Sequence, residues 1–137
     1  MTSPIVPPAN AAPVTKDGHT TYHLVPSEVW LSQREQSGYL PERFDEEGFI
    51  HCTDTLDEII AVGNRYYTTD PRSFLLLDID CAAVDAPIVY EDPNRIFPHI
   101  YGPLETAAVA RVRPVVRDEQ GLFLSIEDET EIPKDVS

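Results

Sequence analysis

The sequence predicts a small α+β domain, with its helices early in the chain and a largely antiparallel sheet. Three observations predict it. Segments rich in β-branched, aromatic and aliphatic residues recur at strand length between residues 20 and 126. The two helix-like patterns, over residues 27–37 and 55–67, both come early in that stretch. The last two strand-like runs meet across the turn-like Asp118-Glu119-Gln120-Gly121. With 137 residues the chain suits one domain, which hides roughly two thirds of the surface its unfolded form exposes, without metals or disulfides as staples.

Residues 1–18 hold Pro4, Pro7, Pro8 and Pro13 among small residues and read as a flexible leader, because such a segment buries too little apolar area to offset its ordering entropy. The domain proper spans 19–126. Thr20-Thr21-Tyr22-His23-Leu24-Val25 is a strand, ended by Pro26. Residues 27–37 lack Gly and Pro and meet Gly38, a helix with glycine just past its end. Gly48 to Thr53 forms a second short strand. Thr55 and Glu58 make a capping-box pattern, and Leu56, Ile59, Ile60, Gly63 and Tyr67 share one face of the helix over 55–67. The apolar run 73–79 is a central strand, and 87–91, 108–113 and 121–126 are further strands. Residues 127–137 form an acidic, solvated tail.

Twenty-four Asp and Glu against 10 Lys and Arg give a formal charge of −14. That balance argues against DNA, RNA and anionic membranes as partners and leaves a small-molecule ligand, which would need a local basic spot if charged. Arg34 and Arg95 are the candidates for that spot, since the planar guanidinium fork suits carboxylate and phosphate. Cys52 and Cys81 form no ligand cluster and read as buried thiols in a reducing cytoplasm, and the N-terminus lacks the charged and apolar regions of a secretory signal. No run is long enough to cross a membrane as a helix; Phe74-Leu75-Leu76-Leu77 is cut at Asp78.

Three of the four histidines lie in strand-like or turn-like segments. Side-chain alternation puts Thr21 with His23, Phe49 with His51 and Thr53, and Phe97 with His99 and Tyr101. Each histidine thus shares a face with a hydroxyl, where an ordinary half-buried strand would be uniformly apolar, and the three together suggest a lined cleft. The segment 94–104, with two prolines, a glycine and three aromatic rings, demands a specific backbone path, either a turn closing the sheet or the far wall of that cleft. Asp45-Glu46-Glu47 is a solvated loop that could also supply a general acid or base. No metal is expected, because the histidine spacing is non-local and lacks H-x-H or H-E-x-x-H. A Cys52 nucleophile paired with His51 fails because strand neighbours point to opposite faces. The absence of G-x-G-x-x-G excludes Rossmann and P-loop nucleotide sites.

Tyr22-His23-Leu24-Val25-Pro26, Gly48-Phe49-Ile50-His51-Cys52-Thr53 and Phe97-Pro98-His99-Ile100-Tyr101-Gly102-Pro103-Leu104, in this order, resemble the domain-of-unknown-function 952 family over roughly residues 20–115. That family's fold resembles the ADP-ribosyltransferase fold, a compact split-sheet α+β domain with NAD in a cleft, in the branch of the tRNA 2′-phosphotransferases. The resemblance implies NAD as substrate, His23 bonding its ribose or amide, His51 lining the nicotinamide pocket with Phe49 and Thr53, and His99 and Tyr101 in the third motif. It implies catalytic roles for His23, His51, His99 and Tyr101 and ligand contacts for Phe49 and Thr53; Thr21, from the His23 face, and Arg34 and Arg95, from their guanidinium chemistry, complete the candidate ligand-binding set. No carboxylate lies between Ile96 and Leu104, where transferases of this fold usually place a catalytic glutamate, so a histidine would serve there as acid or base. Two alternatives stay open: histidine-based acid–base chemistry (isomerase, cyclase or hydrolase) on a non-nucleotide small molecule, and a non-catalytic ligand-binding module.

Overall fold

A computed structural model describes residues 7–128. Its elements are β1 (Ala12–Pro13), β2 (Thr20–Pro26), α1 (Ser27–Gln33), β3 (Gly38–Tyr39), α2 (Phe44–Glu47), β4 (Ile50–His51), α3 (Leu56–Tyr66), β5 (Phe74–Asp80), β6 (Ile88–Tyr90), β7 (Pro98–Ile100), β8 (Leu104–Glu105), β9 (Val109–Arg117) and β10 (Phe123–Ile126). They form an α+β fold in which all the strand pairs are antiparallel. One sheet runs β10-β9-β5-β2, another β1-β6-β7-β4, and β3 pairs with β8.

The two larger sheets touch edge to edge through one bridge, Tyr22 opposite Thr53, with reciprocal backbone bonds of 2.9 and 2.8 Å. Continuing that antiparallel register would set Leu24 against His51. Instead β2 pairs along its length only with β5, and β4 only with β7. The sheets therefore part at this bridge.

β5 explains why its sequence is a continuous apolar run: it lies between β9 and β2 and is buried on both faces. Leu75, Leu77 and Ile79 join the larger core with Trp30, Tyr39, Ile50, Ile88 and Ile100. Phe74 and Leu76 face the smaller core with Leu24, Ile59 and Phe123, beneath α3. The alternation breaks at Asp78, whose buried carboxylate takes a two-pronged bond from the buried Arg113 guanidinium at 3.0 and 2.9 Å. Burial of both charges is tolerable because each is matched in this fork geometry.

The helix over 55–67 forms as Leu56–Tyr66, and the Thr55 hydroxyl accepts the Glu58 N–H as the capping box requires. Other expectations change. Part of the supposed leader is built into the fold: Ala12–Pro13 pair with β6, Val14 is buried, and the Lys16 ammonium donates to the carbonyls of Val84 (2.6 Å) and Ala86 (3.0 Å). A sheet edge accepts Pro13, and one buried valine with three anchoring bonds outweighs the low apolar content of the stretch. The remainder of the leader before residue 7, and the acidic tail beyond Asp128, lie outside the described residues. Asp45, Glu46 and Glu47 form most of an additional short helix, α2, ended by Gly48 at φ +80°. The strand expected over 48–53 is reduced to two residues because that left-handed glycine precedes it and Thr53 turns to β2. Within the proline-rich segment, Pro98–Ile100 is an interior strand between β6 and β4 rather than a closing turn, and Phe97 and His99 form part of a cleft wall.

Gly63 decides how closely α3 approaches β10. A Cβ there would sit 2.5 Å from the Phe123 ring, so the helix packs its backbone on the aromatic face. Gly63→Ala should gain about 1 kcal/mol of helix propensity but lose more through overpacking, which costs about 1–3 kcal/mol. The expected result is a lower urea midpoint. A raised midpoint would show that α3 has room to move.

Candidate active site

β4 and β7 carry the site because of their register. His51 is the direct partner of His99, so the two imidazoles stand side by side on the outer face of the β1-β6-β7-β4 sheet, ring centres 5.2 Å apart. Ile50 and Ile100, the neighbouring pair, point to the core. Phe49 stacks on His99 at 4.1 Å and lies 5.3 Å from Tyr101. Carboxylates reach both imidazoles from other elements. Glu47, the last residue of α2, sits 3.2 Å from His51 Nε2. Glu91, just after β6, accepts from His99 Nδ1 at 2.9 Å and from the Tyr101 hydroxyl.

His23 is adjacent but does a different job. Its Nδ1–H donates to the His51 carbonyl at 2.6 Å and its Nε2 accepts from the Tyr39 hydroxyl at 2.8 Å, which sets its tautomer. It is 6% exposed. Burial is the main cause that pushes its pKa down to about 4, against the opposing effect of the bond to the His51 carbonyl and with help from the His51 charge. Thus His23 is neutral at physiological pH with both nitrogens engaged. Tyr39 is wholly buried, and desolvation drives its phenol far above the usual range. Thr21 and Thr53 are buried too, the Thr21 hydroxyl donating to the Thr53 carbonyl at 3.2 Å. They fasten the inter-sheet bridge.

Where the sheets part, a cleft of about 590 Å³ opens. Its lining includes Tyr22 and His23 from β2, Phe97, His51 and His99, and also the cations Arg43, Arg65 and Arg72 with the acids Glu42, Glu47 and Asp70. Arg34 and Arg95, the cations selected from the sequence, do not line it. Arg34 caps the end of α1, and Arg95, held at φ +54°, borders a second hollow of about 420 Å³ with Tyr90 and Glu91. The cleft's own cations were not distinguishable in the sequence from other surface arginines. Arg72 is tied to Asp70 (2.8 Å), Glu42 (3.0 Å) and Glu28 (3.3 Å), and Arg43 pairs with Glu46 at 3.3 Å. Arg65 lies over the Tyr66 ring.

The structure therefore brings the Phe49, His51, His99 and Tyr101 rings together, but only His51 and His99 of these line the cleft, where His23 and Thr53 join them; Phe49, Tyr101, Thr21, Arg34 and Arg95 lie outside its lining. Tyr39 and Glu91 carried no signal in their own segments. Glu47 had one, in the acidic run before Gly48. Both thiols are buried, and desolvation raises Cys52 well above its ordinary value and Cys81 to about 12, so neither is an activated nucleophile. Among the described residues, no group of three or more His, Cys, Asp or Glu is arranged to hold a metal, and no helix is long and apolar enough to cross a membrane.

Comparison with known proteins finds a family model and solved structures that match. The family model described as "Protein of unknown function (DUF952)" matches residues 24–112. The crystal structure of protein CC0527 from Caulobacter crescentus superposes with a TM-score of 0.65 at 18% identity, covering 77% of this chain and 93% of that one, and a double mutant of the same protein gives the same values. At that identity the likeness establishes the fold alone. No curated protein matches the chain.

The His23 geometry has a pH signature. Its folded pKa, about 4, lies below the unfolded value near 6.5, so the unfolded chain binds the extra proton. Its contribution to stability is complete above pH 6.5 and is lost as pH falls towards 4, by roughly 3 kcal/mol in all. His23→Asn keeps a donor and cannot titrate. Urea denaturation between those limits should show a steeper loss for the wild type than for the variant; equal slopes would contradict the buried neutral imidazole.

Proposed function

The chain belongs to the DUF952 family, and we propose that its cleft binds a small molecule on which His51 and His99 act as an acid–base pair. One observation carries the reading: the register pair of β4 and β7 sets two imidazoles 5.2 Å apart at the cleft, each with a carboxylate on one nitrogen. Two carboxylate-oriented imidazoles on rigid strands are the equipment of general acid–base catalysis, worth about 10²–10⁴ in rate.

For the ligand we propose a nicotinamide dinucleotide, used as a substrate in ADP-ribosyl transfer or hydrolysis, as the likeness of this family to the ADP-ribosyltransferase fold implies. Three features support it. The cleft volume falls in the range of small-molecule sites, roughly 300–1,000 Å³. It opens at the split between two sheets. Its lining includes Arg43 and Arg65, cations suited to a pyrophosphate in a chain whose net charge is −14. In hydrolysis the bond from ribose C1′ to the pyridinium nitrogen breaks, its electron pair leaves with neutral nicotinamide, and a water oxygen bonds to C1′ while its proton passes to an imidazole. The buried, unpaired Cys52 and Cys81 fit a reducing cytoplasm, which is part of the same proposal.

A second reading has its own support. Arg72 is committed to three carboxylates and Arg43 to one, which weakens the case for a diphosphate. The same histidine pair would then serve an isomerase, cyclase or hydrolase reaction on a non-nucleotide small molecule.

Calorimetry and nicotinamide release with NAD separate these readings. The wild type should bind NAD, Arg65→Ala should weaken binding by about 1 kcal/mol, and His51→Ala or His99→Ala should abolish most turnover while the fold persists. Lack of NAD binding at millimolar concentration removes the nucleotide reading. Binding with no turnover would make the domain a recognition module.

A further inference from the structure

Glu91 stands behind the cleft wall. Val89 is the register partner of His99, and Glu91, two residues on, faces the same side of the sheet. Its Oε2 accepts from His99 Nδ1 at 2.9 Å and from the Tyr101 hydroxyl, two donors at alternate positions of one extended segment. His99 lines the cleft, whereas Tyr101 and Glu91 do not and Glu91 borders the second hollow, so the carboxylate reaches a ligand in the cleft only through His99. Burial pushes the Glu91 carboxyl up, but the hydrogen bonds from Tyr101 and His99 prevail and hold it below its ordinary value. It is therefore an ionised, acceptor-only group at neutral pH.

A neutral imidazole has a single N–H. Facing an acceptor-only carboxylate, Nδ1 must carry it, although a histidine in water favours the Nε2–H form. We infer that Glu91 is a positioning residue, which fixes His99 as the Nδ1–H tautomer with Tyr101 aligned beside it and leaves His99 Nε2 as the proton acceptor of the cleft. His51 differs, because it is Nε2 rather than Nδ1 that lies near a carboxylate, 3.2 Å from Glu47. The two imidazoles are thus not interchangeable. This assignment of roles rests on the acid–base reading above, while the tautomer stands on geometry alone.

Nitrogen-15 and carbon-13 spectra of the imidazoles under mildly alkaline conditions test it, with single His→Gln variants for assignment. His99 should be protonated on Nδ1 in the wild type. Glu91→Ala should move the His99 proton to Nε2 and slow nicotinamide release from NAD about 10- to 100-fold, with NAD binding by calorimetry unchanged. Glu91→Gln, whose amide oxygen can accept the same N–H, should retain the tautomer and recover part of the rate; it also serves if the alanine variant does not fold. A His99 protonated on Nε2 in the wild type, or unmoved by Glu91→Ala, overturns the inference. A wild type that releases no nicotinamide overturns the proposed reaction instead, and the spectra still decide the role of Glu91.

Discussion

The arrangement depends on one imidazole. His23 spans the point where the two large sheets part, donating to the His51 carbonyl on one side and accepting from the Tyr39 hydroxyl on the other. One residue pair earlier, Tyr22 and Thr53 make an ordinary ladder bridge. Had the ladder continued, the backbone of β2 would have satisfied His51 and closed the gap. By taking that carbonyl with a side chain, His23 keeps β4 from pairing further with β2 while leaving no buried acceptor unsatisfied. The cleft is the space this substitution leaves.

Because the bond needs a neutral ring of one tautomer, burial and function are separated at this residue. Desolvation disfavours the charged form of His23 more than its bond to a carbonyl favours it. His51 lies four positions past Glu47 with more than half of its side chain exposed, and His99 sits under Phe49 against Glu91. Three histidines that alternation treats alike thus have three environments. One braces the fold, and two line the cleft with a carboxylate beside each. The arginines divide in the same way: Arg113 neutralises the buried Asp78 within the sheet, and Arg72 gathers three carboxylates at the cleft's edge.

Much of this was legible one segment at a time. The period of two grouped Thr21 with His23, Phe49 with His51, and His99 with Tyr101. The capping box located the start of α3, and the unbroken apolar run 74–77 marked β5 as buried on both faces. All of these are local regularities. Less legible were features whose cause lies elsewhere in the chain. Val14 and Lys16 look like parts of a leader until Ile88, Val84 and Ala86 come within reach. Pro98 looks like a turn residue until it begins an interior strand, where its missing N–H does not disturb the pairing.

The sequence by itself determined the class of fold, the main helix, the central strand and which side chains share a strand face, because those follow from propensity and periodicity. Tertiary structure alone decided that His51 meets His99, that Glu47 and Glu91 lie beside these two imidazoles, and that Arg43, Arg65 and Arg72 border the cleft in place of Arg34 and Arg95. The physical reason is that strand register and sheet separation are set by pairing and packing between residues tens of positions apart, and a local pattern carries no record of its partner.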